Sequence, residues 1–159
     1  MNLQQRSEPL PPPVMGEDRD ANVFRGWVVC PRIGVDSEPW IDRQLAGFNR
    51  VIPTVVCWED LKGSELSPGS FETIILPFSF QTEGIFRRWI KRLRNAPSGN
   101  YFGSFGREKR ELLQMVCDNS PDFMLCHFGQ TALRLLPIAK QTGVPLIAHF
   151  HGLDLSSML

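Results

Sequence analysis

The chain has 159 residues, 42% hydrophobic and 21% charged, enough for one ordinary domain with a sizeable core, which excludes a wholly disordered polypeptide. Seventeen basic residues balance seventeen acidic ones, so the overall charge points to no nucleic-acid partner and any electrostatic argument rests on local clusters. Cys30, Cys57, Cys117 and Cys126 lie far apart with no C-x-x-C pair, which argues against a disulfide scaffold and against a zinc ribbon.

Residues 1–22 are polar and carry Pro9 and the Pro11-Pro12-Pro13 run, a composition that predicts a disordered, extended tail outside the fold. Asp18-Arg19-Asp20 spells D-x-D, a pattern able to hold a cation and a diphosphate, but it precedes every predicted strand and is read as coincidence. The N-terminus has no apolar signal core, and no stretch approaches the ~20 apolar residues of a membrane span. A cytoplasmic, reduced location is expected.

Order is expected from Val23. Trp27-Val28-Val29-Cys30, followed by Pro31 and Gly34, reads as a buried strand entering a loop. Asp36 and Ser37 offer capping oxygens, Pro39 suits a first helical turn, Glu38 complements the helix dipole, and Trp40, Ile41, Leu45 and Phe48 form one apolar face. Val51 to Trp58 and Phe71 to Leu76 are further apolar runs, joined by a turn-rich connection. Such alternation predicts an α/β fold, a mostly parallel Rossmann-like sheet with helices on both faces.

After Pro77 the period changes. From Glu83 to Arg94, Ile85, Phe86, Trp89, Ile90 and Leu93 share one helical face, and Arg87, Arg88, Lys91, Arg92 and Arg94 share the other. Between Ile85 and Arg110 eight basic residues face one acid, Glu108. The ordinary reading is a solvated basic face with the apolar face buried on the sheet. The functional alternative is peripheral binding to an anionic membrane at the inner face, with Trp89 and loop aromatics as interfacial contacts. Ala96 to Gly106 reads as a mobile loop anchored by Tyr101, Phe102 and Phe105, and Arg107, Lys109 and Arg110 open a helix running to about Asn119.

The last segment reads as strand, helix, strand. Pro121-Asp122 breaks the preceding helix, and Phe123 to Cys126 forms a buried strand. Gly129 allows a sharp entry to a helix from Gln130 to Thr142, Pro137 is expected to kink it or mark a shift in register, Gly143 closes it, and Val144 to Phe150 forms the next strand. His127, His149 and His151 therefore fall at or beside strand ends, where open α/β sheets bind ligands. Alternation along the strand turns Phe150 away from the face shared by His149 and His151. Cys126 or His127 could join His149 and His151 around zinc. Neither a G-x-G-x-x-G fingerprint nor a phosphate-binding P-loop is present to favour a dehydrogenase or an NTPase.

These residues also resemble a known family. Pro31, then Ser37-Glu38-Pro39-Trp40-Ile41 with Gln44-Leu45, is similar to the first loop and helix of retaining glycosyltransferases of family 4, the GT-B group that includes capsule and exopolysaccharide enzymes. Cys126-His127-Phe128-Gly129 resembles the family's H-F-G segment. Pro145 to Asp154 resembles its P-x-x-x-x-x-H-G-x-D segment, in the same order and spacing.

The resemblance implies an acceptor-side Rossmann-like domain over residues 23–159. It also implies a second domain, absent from this sequence, that binds the sugar nucleotide and supplies basic residues to its diphosphate. The chain would then be a truncated product, a fragment or one half of a split enzyme. The implied reaction moves a hexose from a nucleotide sugar to a glycan or lipid-linked acceptor with retention, with no metal and no other cofactor. His151 matches the family's catalytic histidine beside the transferred sugar. Gly34, His127, Gly129, Gly152 and Asp154 match positions lining the substrate cleft. At Gly34 the family often has two glycines, whereas here one is flanked by Ile33 and Val35. His127 and His149 have structural support of the strand ends as their first reading. A non-catalytic binding or scaffolding module of the same fold is the alternative function.

Overall fold

The strand-forming runs assemble into one five-stranded sheet, parallel throughout. In the computed structural model, which describes residues 23–35, 38–61, 71–77, 89, 90, 93, 94 and 96–151, the strands are β1 (Phe24–Ile33), β2 (Val51–Asp60), β3 (Glu72–Ile75), β4 (Phe123–His127) and β5 (Leu146–His149). Their spatial order is β3-β2-β1-β4-β5. Among the described residues, helices α1 (Pro39–Ala46), α2 (Gly106–Asn119) and α3 (Gly129–Thr142) pack on this sheet in an α/β Rossmann-like fold. The Pro-rich segment 1–22, the capping candidates Asp36 and Ser37, the basic residues Arg87, Arg88, Lys91 and Arg92, and Gly152 and Asp154 lie outside the described residues.

Residue alternation divides the core in two. Trp27, Val29, Val56, Trp58, Met124 and Cys126 point to one face, where Leu112, Val116, Leu135 and Ile138 of α2 and α3 cover them. Val28, Cys30, Val55 and Cys57 point to the other, under Ile41 and Leu45 of α1. Covering both faces explains why the middle of β1 is one continuous buried run rather than an alternating one. Cys30, Cys57 and Cys126 are buried and Cys117 is exposed, all free thiols. At Gly26 an added Cβ would lie 2.5 Å from Cζ of Phe123 and 2.9 Å from Cγ1 of Val51, so the absence of a side chain lets both neighbours close on β1.

Pro137 sits inside α3 without ending it. A proline there supplies no N–H to the carbonyl four residues earlier and crowds that turn. The neighbouring chain fills the deficit: Asn100 Nδ2 donates to the Leu133 carbonyl at 2.6 Å, and the Ser104 N–H donates to the Arg134 carbonyl at 3.1 Å. This corrects the expectation of aromatic anchors in the loop for two of the three. Tyr101 and Phe102 are exposed and Phe105 is half-buried, whereas Asn100 and Ser104 are buried. Helix carbonyls need donors, and here the Asn100 amide and the Ser104 N–H supply them.

Two further expectations are revised, while α2 opens on Arg107, Lys109 and Arg110 and ends at Asn119 as expected. Helix α1 starts at Pro39 with Glu38 as N-cap and no side-chain capping bond. Trp89 and Leu93 are 63% and 66% exposed, so at these positions the apolar face of the basic segment is not buried on the sheet. The basic opening of α2 is partly neutralised within its own helix, where Arg107 bonds Glu111 one turn on.

One buried ion pair ties the two helices together. Glu108 of α2 and Arg134 of α3 are 8% and 4% exposed and joined by a salt bridge. The Arg134 guanidinium also lies 5.0 Å from the ring centroid of Trp58 on β2. Arginine suits this position because its planar cation can stack on an aromatic face while its edge donates to a carboxylate.

Candidate functional site

Chain order reverses between β1 and β4, because the chain runs outward from β1 through β2 to β3 and then returns to the other side of β1. In open α/β sheets the crevice for a ligand opens at such a reversal, beyond the carboxyl ends of the strands. Gly34 stands at that end of β1, with φ of 79° in the left-handed region. His127 ends β4, and register sets it beside His149, the last residue of β5.

Alternation decides what joins the histidines. Met124 and Cys126 belong to the core under α2 and α3, so His127 faces the α1 side and Cys126 cannot reach the cluster. Burial also pushes the Cys126 thiol up to about 12, leaving it protonated and a poor ligand. Phe150 turns toward α3, where its ring occupies the space above Gly129; a Cβ at Gly129 would lie 2.8 Å from Phe150 Cε1. His151 then returns to the side of His127 and His149.

The three imidazoles form a compact group. Ring centroids are 5.3 Å apart for His127 and His149, 5.7 Å for His127 and His151, and 4.4 Å for His149 and His151. One ring nitrogen from each can be chosen so that all three lie within 4.8 Å of one another. Trp40 of α1 packs over the group, at 4.7 Å from His127, 4.2 Å from His151 and 6.0 Å from His149. The sequence placed Trp40 only on an apolar helix face. Its position one turn beyond the β1 loop was the available signal that it overhangs the crevice.

His127 is fully buried, and among the described residues neither ring nitrogen has a hydrogen-bond partner. Leaving such groups unmatched costs about 1–3 kcal/mol. Burial, with the charges of His149 and His151 adding to it, lowers its pKa to about 4. The imidazole is therefore neutral near neutral pH, with a lone pair available to a ligand.

The turn behind His127 is strained at Phe128, not at Gly129. Phe128 has φ 71° and ψ 138°, a conformation costing a residue with a side chain about 1–3 kcal/mol. Gly129 instead begins α3 and makes room for Phe150. Phe128 is held by its N–H donating to the His149 carbonyl at 2.9 Å and its carbonyl accepting from the Ala132 N–H at 3.2 Å. Its ring contacts His151 at 4.6 Å and Trp40 at 6.3 Å between centroids. Strain of this kind, overdetermined by its surroundings, fixes the direction of the neighbouring side chains.

A second groove, lined by Arg25, Ile52, Thr54, Glu72, Asp118 and Asn119 among others, opens at the amino ends of the strands, away from the histidines. No helix among the described residues is long and apolar enough to cross a membrane. In comparisons with known proteins, the chain matches no family model and no curated protein.

Proposed function

We propose that this chain is the acceptor-side half of a retaining hexosyltransferase, working with a second domain that binds the nucleotide sugar. The observation that supports this reading most is the convergence of strand-end histidines on the reversal point of a Rossmann-like sheet. It gives chemical content to the similarity of the Cys126-to-Gly129 and Pro145-to-Asp154 segments to family 4 glycosyltransferases.

In this reading a sugar enters between the two domains and meets His151. A neutral imidazole can accept from one sugar hydroxyl or donate to another. Placed beside the anomeric carbon, it supplies a polar group where positive charge develops as the leaving diphosphate departs. Trp40, packed against the same imidazole, restricts its rotation and excludes water from one side. Gly34 leaves the β1 loop open to close approach by a ligand, while Gly152 and Asp154 belong to the same cleft-lining segment of the resemblance. The test is transfer of labelled hexose from a nucleotide sugar by the chain paired with a donor-binding domain. His151→Ala is expected to lower turnover by about a hundredfold or more with little change in melting temperature. An equally active variant would end the proposal.

The acceptor in this reading is a glycan or lipid-linked saccharide, with the chain peripheral to an anionic membrane. The exposure of Trp89 and Leu93, with Tyr101 and Phe102 also exposed, favours that placement. Each lysine or arginine near an anionic surface contributes about 1 kcal/mol, and exposed aromatic rings suit the headgroup layer. The protein is expected to sediment with phosphatidylserine vesicles at low salt and to be released as salt rises, with Trp89→Ala weakening the association several-fold. Failure to sediment with anionic vesicles at any ionic strength would remove the membrane from this reading.

A further inference from the structure

We infer that His127, His149 and His151 form a binding site for a divalent transition-metal ion, of the class of zinc or cobalt, with three imidazole ligands and a fourth position open to the crevice. The inference stands on these three side chains and holds whether or not the chain transfers sugar.

The donor chemistry fits first. Imidazole nitrogen is a preferred ligand of zinc and its neighbours in the transition series, and three protein ligands plus one exchangeable position is the arrangement of open zinc sites. The distances fit next. At a Zn–N length of about 2.0–2.1 Å with tetrahedral angles, donor nitrogens lie about 3.3 Å apart and ring centroids about 5 Å apart. The observed centroid separations of 4.4 to 5.7 Å bracket that value. Donor atoms now within 4.8 Å need to draw in by no more than about 1.5 Å to reach the separation that a tetrahedral ion sets.

The third argument is that His127 contributes a buried imidazole whose nitrogens meet no hydrogen-bond partner among the described residues. A metal bond offers that lone pair the partner that the described residues do not. The rigid register of β4 against β5 fixes His127 beside His149. The Gly129 and Phe150 contact fixes the alternation that returns His151 to them. The site is thus largely preorganised, and only the half-buried His151 and exposed His149 must move to close it.

The test uses the full chain without a histidine tag, freed of metal by chelation and then titrated with cobalt(II). One equivalent is expected to give the visible absorption of a low-symmetry, nitrogen-ligated cobalt site, to be displaced by zinc, and to quench the fluorescence of Trp40. Trp40→Phe should retain the ion while losing that share of the quenching. Loss of an outer-shell partner alone costs about 10–100-fold in metal affinity, so removal of a ligand should cost more than tenfold. His149→Ala and His151→Gln, both outside the packed core, are therefore each expected to weaken binding by more than tenfold with circular dichroism unchanged. A folded wild-type chain that takes up no cobalt or zinc at micromolar concentration would overturn the inference. So would stoichiometric binding unchanged in both variants. Metal binding without sugar transfer would sustain this site and count against the transferase reading. Transfer with no metal uptake would do the reverse.

Discussion

Replacing Glu108 by alanine is expected to destabilise the protein by about 3–5 kcal/mol, the usual cost of removing one partner from a buried ion pair. The pair lies between α2 and α3, with both side chains nearly inaccessible to water. Removing the carboxylate deprives the buried Arg134 charge of its Glu108 partner in a region of low dielectric, a loss that the cation–π contact to Trp58 offsets only in part. Native domains are stable by about 5–15 kcal/mol, so the variant should sit near the edge of folding. Glu108→Gln, which keeps the shape and the acceptor, should lose distinctly less. Combining Glu108→Leu with Arg134→Met should recover most of the loss, because apolar replacements of a buried pair are often neutral. Urea unfolding of the three variants measures this. A Glu108→Ala midpoint equal to wild type would show that the pair contributes nothing net.

Trp27→Ala is expected to cost a similar amount, about 3–5 kcal/mol, by a different mechanism. Trp27 is almost fully buried in the centre of the sheet, on the face covered by α2 and α3. Truncation removes apolar surface from the core and leaves a cavity that two packed helices cannot collapse to fill. For domains of about 150 residues each kcal/mol moves the melting temperature by roughly 2–4 °C, so calorimetry should record a drop of about 10 °C. Because Trp27 faces away from the histidine group, the folded fraction should keep the cobalt spectrum of the wild type. Loss of that spectrum below the transition would mean that the two faces of the sheet are coupled more tightly than their separate cores imply.

Much of the architecture was legible in the chain. Five apolar runs, interrupted by helical periods and punctuated by Pro39, Gly34 and Gly143, predicted the strands, α1 and the two later helices within a few residues, because burial on both sides of a parallel sheet leaves a continuous apolar signature. The left-handed Gly143 closing α3 (φ 76°) follows from local stereochemistry alone, whereas Pro137 is tolerated through donors from the distant Asn100 and Ser104. The packing of Glu108 on Arg134 was not legible, since two residues 26 positions apart carry no periodic signal. The basic composition from Ile85 to Arg110 even pointed away from it, by presenting Glu108 as a lone acid in a solvated face. The strained residue was likewise misplaced: glycine is the default for an unusual backbone angle, so Gly129 drew the turn that Phe128 makes.

The histidines show where the boundary falls. Strand period along the chain was enough to place His127, His149 and His151 at strand ends, with His149 and His151 on one side and Phe150 on the other. It could not decide which strands are neighbours, since pairing of β4 with β5 and of β4 with β1 depends on the return crossing of the whole chain. Packing of β4 beside β5 under α1 excluded Cys126, brought His127 into the same group, and set Trp40 over all three. Side-chain period is a property of one strand. The meeting of three imidazoles from two strands under a helix is a property of their packing.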